Sequence, residues 1–240
     1  MRIIRAPSLG RAHELVIKLI LEKGSLVTTE DGEETIEYDT TALVVDDPFT
    51  PPLASGCSRF RERFLQQYAE DLLNGSDSVF EYDYHTRLFN WGERLVSGGD
   101  DVHVNQVQYI IEKLRSSEMS RRALAITWNP VIDEALDDCP CLQLVHCTAR
   151  DGKLDMKVVF RSNDMLTAAG ANMYALAHLQ KYIAEQTGYQ IGRYTHISLV
   201  PHIYYMRDIN DIEPFCKKGE NIKPVPEICR LCGKCELSKR

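Results

Sequence analysis

The sequence lacks any apolar run long enough to cross a membrane, and its N-terminus lacks the apolar core of a signal peptide. Nowhere in the 240 residues is there a stretch of roughly 18 apolar residues, the length that a membrane-spanning helix needs. The first seven residues mix apolar side chains with arginine. We therefore expect a cytoplasmic protein without a membrane partner.

Basic residues are scarce relative to acidic ones. The chain has 28 Lys and Arg against 35 Asp and Glu, so its formal net charge is -7. Proteins that bind duplex DNA gain affinity by neutralising phosphates with many cationic side chains. We therefore expect no DNA partner. A phosphorylated small molecule stays compatible with this charge, because a few arginines suffice to bind it.

Cysteine is too rare for a disulfide scaffold, and with no export signal we expect reduced thiols. Four of the eight cysteines lie in the body of the chain and four near its C-terminus: Cys57, Cys139, Cys141 and Cys147, then Cys216, Cys229, Cys232 and Cys235. The second group has the Cys-x2-Cys spacing that is typical of zinc and iron-sulfur sites. We predict that it binds zinc or a cluster, the alternative being a flexible terminus without metal.

The chain length fits one large domain, because single cores grow little beyond roughly 250 to 300 residues. From Glu213 onward the composition changes to Pro, Gly, Lys and Cys. We therefore divide the chain into a main domain over 1–211 and a Cys-rich tail over 212–240. Such a short tail cannot bury a core unaided, so it needs docking or a metal.

Hydrophobic periodicity predicts helices over 12–23, 58–73, 104–115 and 171–187. It also predicts strands over 122–128, 142–148 and 154–161, and a β-rich run over 195–204. Arg150-Asp-Gly152 is a strong hairpin signal between two of these strands. The order of elements indicates an α+β fold, a mixed β-sheet with helices packed on one face.

Four short patterns with reactive or charged side chains follow one another along the chain. They are Arg121-Arg122, Cys139-Pro-Cys141, Arg161-Ser-Asn-Asp164 and His202-Ile-Tyr204, with Asn172 between the last two. Together they resemble the signature blocks of the thymidylate synthase family, over about residues 82 to 205. The resemblance implies a thymidylate synthase-like fold and the reductive methylation of dUMP to dTMP by a methylene-pterin.

Cys141 is the candidate nucleophile. It follows Pro140 and opens a predicted strand, where a thiol can project into a cleft. A thiol with a pKa of about 8.5 needs cationic or hydrogen-bonding neighbours to become reactive, and Arg161 is a candidate for that role. The resemblance implies that Cys141 adds to C6 of dUMP. The alternative is a buried structural cysteine.

Arginine forks suit the phosphate of a nucleotide, and Arg121, Arg122, Arg161 and Ser162 are the candidates. Arg121 and Arg122 are adjacent in a predicted strand, so their side chains should point to opposite faces. One subunit could hardly use both on one ligand. In the family the twin arginines reach into the partner's site, which implies a homodimer with shared sites; the alternative is a solvated surface pair.

The resemblance also assigns the remaining contacts. Asn172 would bind the uracil edge, because an amide offers one donor and one acceptor, and sister enzymes that hydroxymethylate dCMP carry Asp there. His202 and Tyr204 would bind a ribose hydroxyl, and Asp164 would orient the pyrimidine and the pterin. The alternatives are a helix cap for Asn172 and a core position for His202.

The N-terminal third departs from the family pattern. Residues 28–34 are acidic where a phosphate-binding arginine is expected. The helix that should carry a catalytic glutamate offers Glu62 or Glu70 at imperfect spacing. Tyr82, five residues before Arg87, resembles the block that removes the C5 proton, and Tyr84 is equally plausible by spacing.

The departures of the N-terminal third from the family pattern lie on the cofactor side. The one-carbon donor could therefore be methylene-tetrahydromethanopterin rather than 5,10-methylenetetrahydrofolate. Two other functions stay open. One is a dCMP hydroxymethylase, and the other is a catalytically inactive relative that binds a nucleotide or mRNA.

Overall fold

The computed structural model describes residues 1–76, 83–93, 102–218, 222–226 and 228. The helices in this part of the chain are α1 (Leu9–Lys23), α2 (Glu62–Asn74), α3 (Tyr84–Phe89), α4 (Gln106–Ser116), α5 (Pro130–Asp133), α6 (Ala169–Thr187) and α7 (Ile209–Lys218). The strands are β1 (Arg2–Ala6), β2 (Ser25–Thr28), β3 (Glu34–Glu37), β4 (Thr41–Val45), β5 (Trp91–Glu93), β6 (Val102–Val104), β7 (Leu124–Ile126), β8 (Leu142–Arg150), β9 (Lys153–Phe160), β10 (Asn163–Asp164), β11 (Gln190–Ser198) and β12 (Pro201–Ile203).

The largest sheet has six strands in the order β1-β4-β11-β9-β8-β7. Strands β1 and β4 pair in parallel, as do β9 and β11, and the other neighbours are antiparallel. Helices α1, α4 and α6 pack against it. A four-stranded sheet, β10-β12-β3-β2, stands beside it. The predicted α+β fold with a mixed sheet is therefore confirmed.

Strand alternation divides the six-stranded sheet into a buried and an open face. Val145, Met156 and Val158 point toward the helices and are fully buried. Residues between them point the other way and are only partly covered. Across the open face, one apolar side chain from each strand pairs with the next, and we call these residues the apolar row: Ile3, Ala42, Ile197, Val159, Leu144 and Ile126.

Local signals determined the ends of several elements correctly. Helix α6 ends at Gly188, which adopts the left-handed conformation with φ 81°, as a helix-terminating glycine does. The hairpin between β8 and β9 turns through Asp151 and Gly152, both with positive φ. The four predicted helices and the two hairpin strands are all present, with ends shifted by a few residues.

Two strand predictions were wrong in their extent. The strand predicted over 122–128 is limited to β7, because Ser120 Oγ accepts a hydrogen bond from the Arg122 amide in a turn before the strand. Arg121 and Arg122 therefore precede the strand. The β-rich run over 195–204 contains the end of β11 and all of β12, which belong to different sheets.

The C-terminal part contacts helix α1. Helix α7 spans the predicted boundary at residue 211, and its Phe215 is buried with its ring 5.5 Å from that of His13, edge to face. Beyond it, the Val225 amide donates to the Leu21 carbonyl at 2.9 Å. The described part of the tail is therefore docked on the body, and the division into two units stays a prediction.

Candidate active site

Cys141 lies immediately before β8 and is half-buried. The Arg161 backbone amide donates to the Cys141 carbonyl at 2.8 Å. The Arg161 guanidinium donates to the Pro140 carbonyl at 3.1 Å and to the Cys139 carbonyl at 2.6 Å. Arg161 thus holds the backbone of the Cys-Pro-Cys segment and brings a positive charge to it.

Tyr84 lies beside the same segment. Its hydroxyl accepts a hydrogen bond from the Leu142 amide at 3.0 Å, one residue after Cys141. Tyr82, the other tyrosine considered for proton removal, lies outside the described residues. Only Tyr84 can therefore be placed next to the candidate nucleophile.

The short parallel pairing of β10 with β12 assembles a second group of side chains. Asp164 lies opposite His202 in this pairing. Ser162 Oγ is 3.2 Å from His202 Nδ1, and the His202 ring stands perpendicular to Tyr204 with centroids 5.0 Å apart. Burial raises the pKa of the Tyr204 hydroxyl, and the charges of Asp164 and Cys141 add to this effect.

Asp164 is engaged by its own chain. One carboxylate oxygen accepts hydrogen bonds from the Leu166 and Thr167 amides, both at 3.0 Å. The other pairs with Arg207 at 2.8 Å, and the Arg207 guanidinium lies over the Tyr204 ring at 4.1 Å. Sequence reasoning missed Arg207, although it follows Tyr204 by only three residues. The proposed contact of Asp164 with substrate stays a prediction.

Asn172 is 6% exposed in the first turns of α6. Its side-chain oxygen accepts a hydrogen bond from Asn163 Nδ2 at 3.3 Å, and its nitrogen donates to the Tyr68 hydroxyl at 3.0 Å. Sequence reasoning missed Tyr68 because it falls on the apolar stripe of α2 and was interpreted as packing. It also missed Asn163, which lies between two residues that were selected.

Glu70 does not face Asn172. Residues two apart on a helix point about 200° apart, so the contact of Tyr68 with Asn172 places Glu70 on the far side of α2. Glu70 is exposed, as is Glu62. Glu70 therefore lies away from Asn172, its catalytic role stays a prediction, and the position facing Asn172 carries a phenol.

Comparison with known proteins shows the family of this chain. A family model described as "Thymidylate synthase" matches residues 64–230. The chain belongs to the thymidylate synthase family. It is 40% identical over 220 residues to a protein of Methanocaldococcus jannaschii, covering 90% of this chain and 96% of that relative. It is 36% identical over 204 residues to one of Methanosarcina acetivorans, covering 85% and 89%. Both relatives carry the name "Putative thymidylate synthase".

Arg121 and Arg122, the twin arginines of the thymidylate synthase pattern, lie away from Cys141. Both are exposed, and the Arg121 carbonyl is 3.2 Å from His146 Nε2. His146 is five residues along β8 from Cys141, or about 17 Å in an extended strand. Within one subunit, the arginine pair lies beside the middle of β8, whereas the candidate nucleophile lies immediately before its first residue.

Of the four tail cysteines, only Cys216 lies within the described residues, on α7. Cys229, Cys232 and Cys235 lie outside them. In the part of the chain that the structure describes, no three His, Cys, Asp or Glu side chains are placed to bind a metal. The tail metal site therefore stays a prediction. In the same part, no helix is long and apolar enough to cross a membrane.

Proposed function

We propose that this chain converts dUMP to dTMP by reductive methylation, with Cys141 as the nucleophile. The observation that carries this proposal is the placement of a half-buried Cys141 beside Tyr84, on a segment held by Arg161. The chain's family membership supports the same reaction. A methylene-pterin supplies the one-carbon unit and the hydride.

The reaction begins when Cys141 Sγ gives up its proton and bonds to C6 of the uracil ring. The electron pair of the C5–C6 double bond moves toward O4, where a side-chain N–H of Asn172 can stabilise the charge. C5 then bonds to the one-carbon unit and loses its proton to a base. Tyr84, whose hydroxyl lies beside the segment that carries Cys141, could assist this proton transfer. The bond from the one-carbon unit to the pterin nitrogen would then break, a hydride would add to that carbon to give the methyl group, and expulsion of the Cys141 thiolate would restore the C5–C6 double bond.

The nucleotide would be held by the group around β10 and β12. His202 Nδ1 is 3.2 Å from the Val200 carbonyl, an acceptor, so Nδ1 donates to it and Nε2 is the ring nitrogen that can face a ligand. Nε2 could therefore accept from a ribose hydroxyl, with Tyr204 as the second partner. Arg161 and Ser162 would be phosphate ligands from the same subunit.

The donor set fits a reduced pterin. The ring of such a molecule presents amino and amide N–H groups, and the Asp164 carboxylate can accept hydrogen bonds from them. Asp164 is kept in place by the two amides and by Arg207. Whether the donor is methylene-tetrahydromethanopterin or 5,10-methylenetetrahydrofolate is decided by comparing single-turnover dTMP formation with each. Comparable rates would remove the argument for a specialised donor.

The protein would act as a homodimer. The apolar row runs across all six strands of the open sheet face, a surface that a second copy can cover. The arginine pair lies too far from Cys141 to serve its own subunit. Pairing through the open face would let Arg121 and Arg122 reach the phosphate in the partner's site.

Release of tritium from 5-tritiated dUMP tests the proposed reaction, because it reports loss of the C5 proton. We expect release with a methylene-pterin from the wild type and none from Cys141→Ser. Cys139→Ser is the matched control, since Arg161 binds its backbone carbonyl and not its thiol. It should retain activity. Full activity of Cys141→Ser would overturn the proposal.

The same assay separates the other functions. A dCMP hydroxymethylase would turn over dCMP in preference to dUMP. A protein that binds dUMP but releases no tritium with either donor would be a non-catalytic relative.

A further inference from the structure

A chain of hydrogen bonds, which we call the Asn172 network, connects five side chains from four segments. The Tyr194 hydroxyl is 3.1 Å from His196 Nδ1, and His196 Nε2 is 2.9 Å from the Asn163 side-chain oxygen. Asn163 Nδ2 donates to the Asn172 oxygen at 3.3 Å, and Asn172 Nδ2 donates to the Tyr68 hydroxyl at 3.0 Å. The network thus leads from the core to the residue expected to bind the pyrimidine.

Most of the network is sealed from solvent. Tyr194 and His196 are fully buried, and Asn163 is 3% exposed. The Phe160 ring stacks on His196 at 4.6 Å. Burial lowers the pKa of His196 to about 3, so its imidazole is neutral at physiological pH and carries one ring proton. Polar groups in such surroundings need every partner they have.

These partners determine the direction of each hydrogen bond. The Asn163 oxygen can only accept, so His196 Nε2 carries the ring proton and Nδ1 accepts from the Tyr194 hydroxyl. Asn163 Nδ2 can only donate, so it is the oxygen of Asn172 that faces it. All the hydrogen bonds therefore point from Tyr194 toward Tyr68. Reversing one of them requires the other tautomer of His196 and rotation of both amides.

The orientation of the Asn172 amide matters because an amide alone does not discriminate between pyrimidines. Uracil presents an acceptor, O4, beside the N3–H donor. Cytosine presents an amino donor beside the N3 acceptor. An amide rotated by half a turn matches cytosine as well as the original matches uracil. Selection of uracil therefore needs a second group that prevents the rotation.

We propose that Asn163 and His196 are specificity-determining residues, which select dUMP over dCMP by holding the Asn172 amide in one orientation. Tyr68 is the last member of the network, and its hydroxyl accepts a hydrogen bond from the nitrogen of that amide. This inference rests on the proposed function, because it requires the pyrimidine to lie against Asn172. Neither Asn163 nor His196 needs to contact the nucleotide.

The first test is independent of activity. Long-range proton-nitrogen NMR on the full chain labelled with ¹⁵N-histidine reports which ring nitrogen carries the proton. We expect His196, assigned by comparison with His196→Gln, to be protonated at Nε2 and unprotonated at Nδ1. A proton at Nδ1 would reverse the direction of the network and overturn the inference.

The second test measures nucleotide selectivity. Asn163→Leu preserves the approximate size of the side chain and removes the donor that faces Asn172. We expect the ratio of affinities for dUMP and dCMP to fall about tenfold or more, because one misdirected hydrogen bond in a buried site is costly. If the substitution only damaged the structure, the affinities for dUMP and dCMP would fall by the same factor. An unchanged ratio in the folded variant contradicts the proposal.

Tyr68→Phe provides a milder variant in case Asn163→Leu does not fold. It removes only the oxygen that accepts from Asn172, and the ratio should fall in the same direction. Tyr189→Phe is the matched control, since its hydroxyl donates to the Leu114 carbonyl outside the network. An unchanged ratio in Tyr68→Phe would also count against the proposal. If the wild type binds neither nucleotide, the proposed function fails and this role fails with it.

Discussion

Arg87, a residue of the family pattern, forms a buried ion pair within its own chain. Its guanidinium forms two hydrogen bonds with the Asp133 carboxylate, at 3.0 and 2.6 Å, and the two side chains are 8% and 0% exposed. Asp133 also accepts from the Asn129 amide at 2.6 Å. Arg87 thus joins α3 to α5, near the segment that carries Cys141, and its arrangement is that of a structural ion pair.

Replacing Arg87 by Met should destabilise the protein by about 3–5 kcal/mol, because Asp133 would remain as an uncompensated buried charge. Urea unfolding at pH 7 measures this change. Arg193→Met is the control, since Arg193 pairs with Asp46 where the two side chains are 47% and 74% exposed. Such a surface pair contributes about 0–1 kcal/mol. Equal losses in both variants would contradict the assignment.

His196 also predicts how stability depends on pH. Its pKa is about 3 in the folded protein and 6.5 in the unfolded chain, so below pH 6.5 the unfolded state binds the additional proton. The free energy of unfolding should therefore fall by about 1.4 kcal/mol per pH unit from this group between pH 6.5 and pH 3. Burial lowers the pKa of His13 as well, which adds in the same direction.

Urea unfolding at pH 7, 6, 5 and 4 measures the slope. His196→Gln should reduce it by the contribution of one proton, because glutamine keeps a donor and an acceptor but does not titrate. His103→Gln changes an exposed histidine outside the network and should leave the slope unaltered. A His196→Gln slope equal to that of the wild type would show that His196 is not held neutral.

At the scale of elements, helices were predicted more accurately than strands. Helix α6 was predicted from its periodicity and its terminal glycine, which are local signals. Strand ends depend on the partner. Residues 195–204 have the composition of one continuous strand, yet β11 joins the large sheet and β12 pairs with β10. That division places His202 beside Ser162, and β propensity contains no information about it.

The docked tail leads to a prediction about metal. Ile222 is buried, and the Lys223 amide donates to Glu22 of α1 at 3.0 Å. The segment that precedes the last three cysteines is therefore held against α1. We expect about one zinc ion or one cluster per chain, with loss of thermal stability on chelation. Cys229→Ser should abolish metal binding and leave Cys141 chemistry intact. Metal-free protein from both aerobic and anaerobic purification would contradict the site.

At the scale of the whole molecule, the active site is predicted to be complete only in a dimer. Arg121 lies beside the middle of β8, about five residues along the strand from Cys141, and the apolar row offers the face through which two copies can pair. One subunit then supplies the thiol and the other supplies the arginines. The acidic composition of the chain makes these few arginines the more important for binding a phosphate.

Mixing two inactive variants tests this arrangement. Cys141→Ser lacks the thiol, and the double variant Arg121→Ala with Arg122→Ala lacks the shared arginines. After subunit exchange we expect about a quarter of the wild-type activity, because half of the dimers are mixed and each contains one complete site. Sedimentation should show a dimer throughout. No recovery from two dimeric variants would place the arginines outside the partner's site.

The sequence alone was enough to predict the family and the α+β class, both of which are confirmed, and to select most of the polar residues of the candidate site. It could do so because Arg161–Asp164 and His202–Tyr204 are contiguous patterns, and because helix periodicity is local. Only the tertiary structure revealed that Tyr68 faces Asn172, that Glu70 does not, and that Asn163 joins His196 to the site. These contacts connect segments more than a hundred residues apart in the case of Tyr68 and Asn172. Such contacts depend on burial and on hydrogen-bond satisfaction in the folded core. A local sequence pattern therefore cannot predict them.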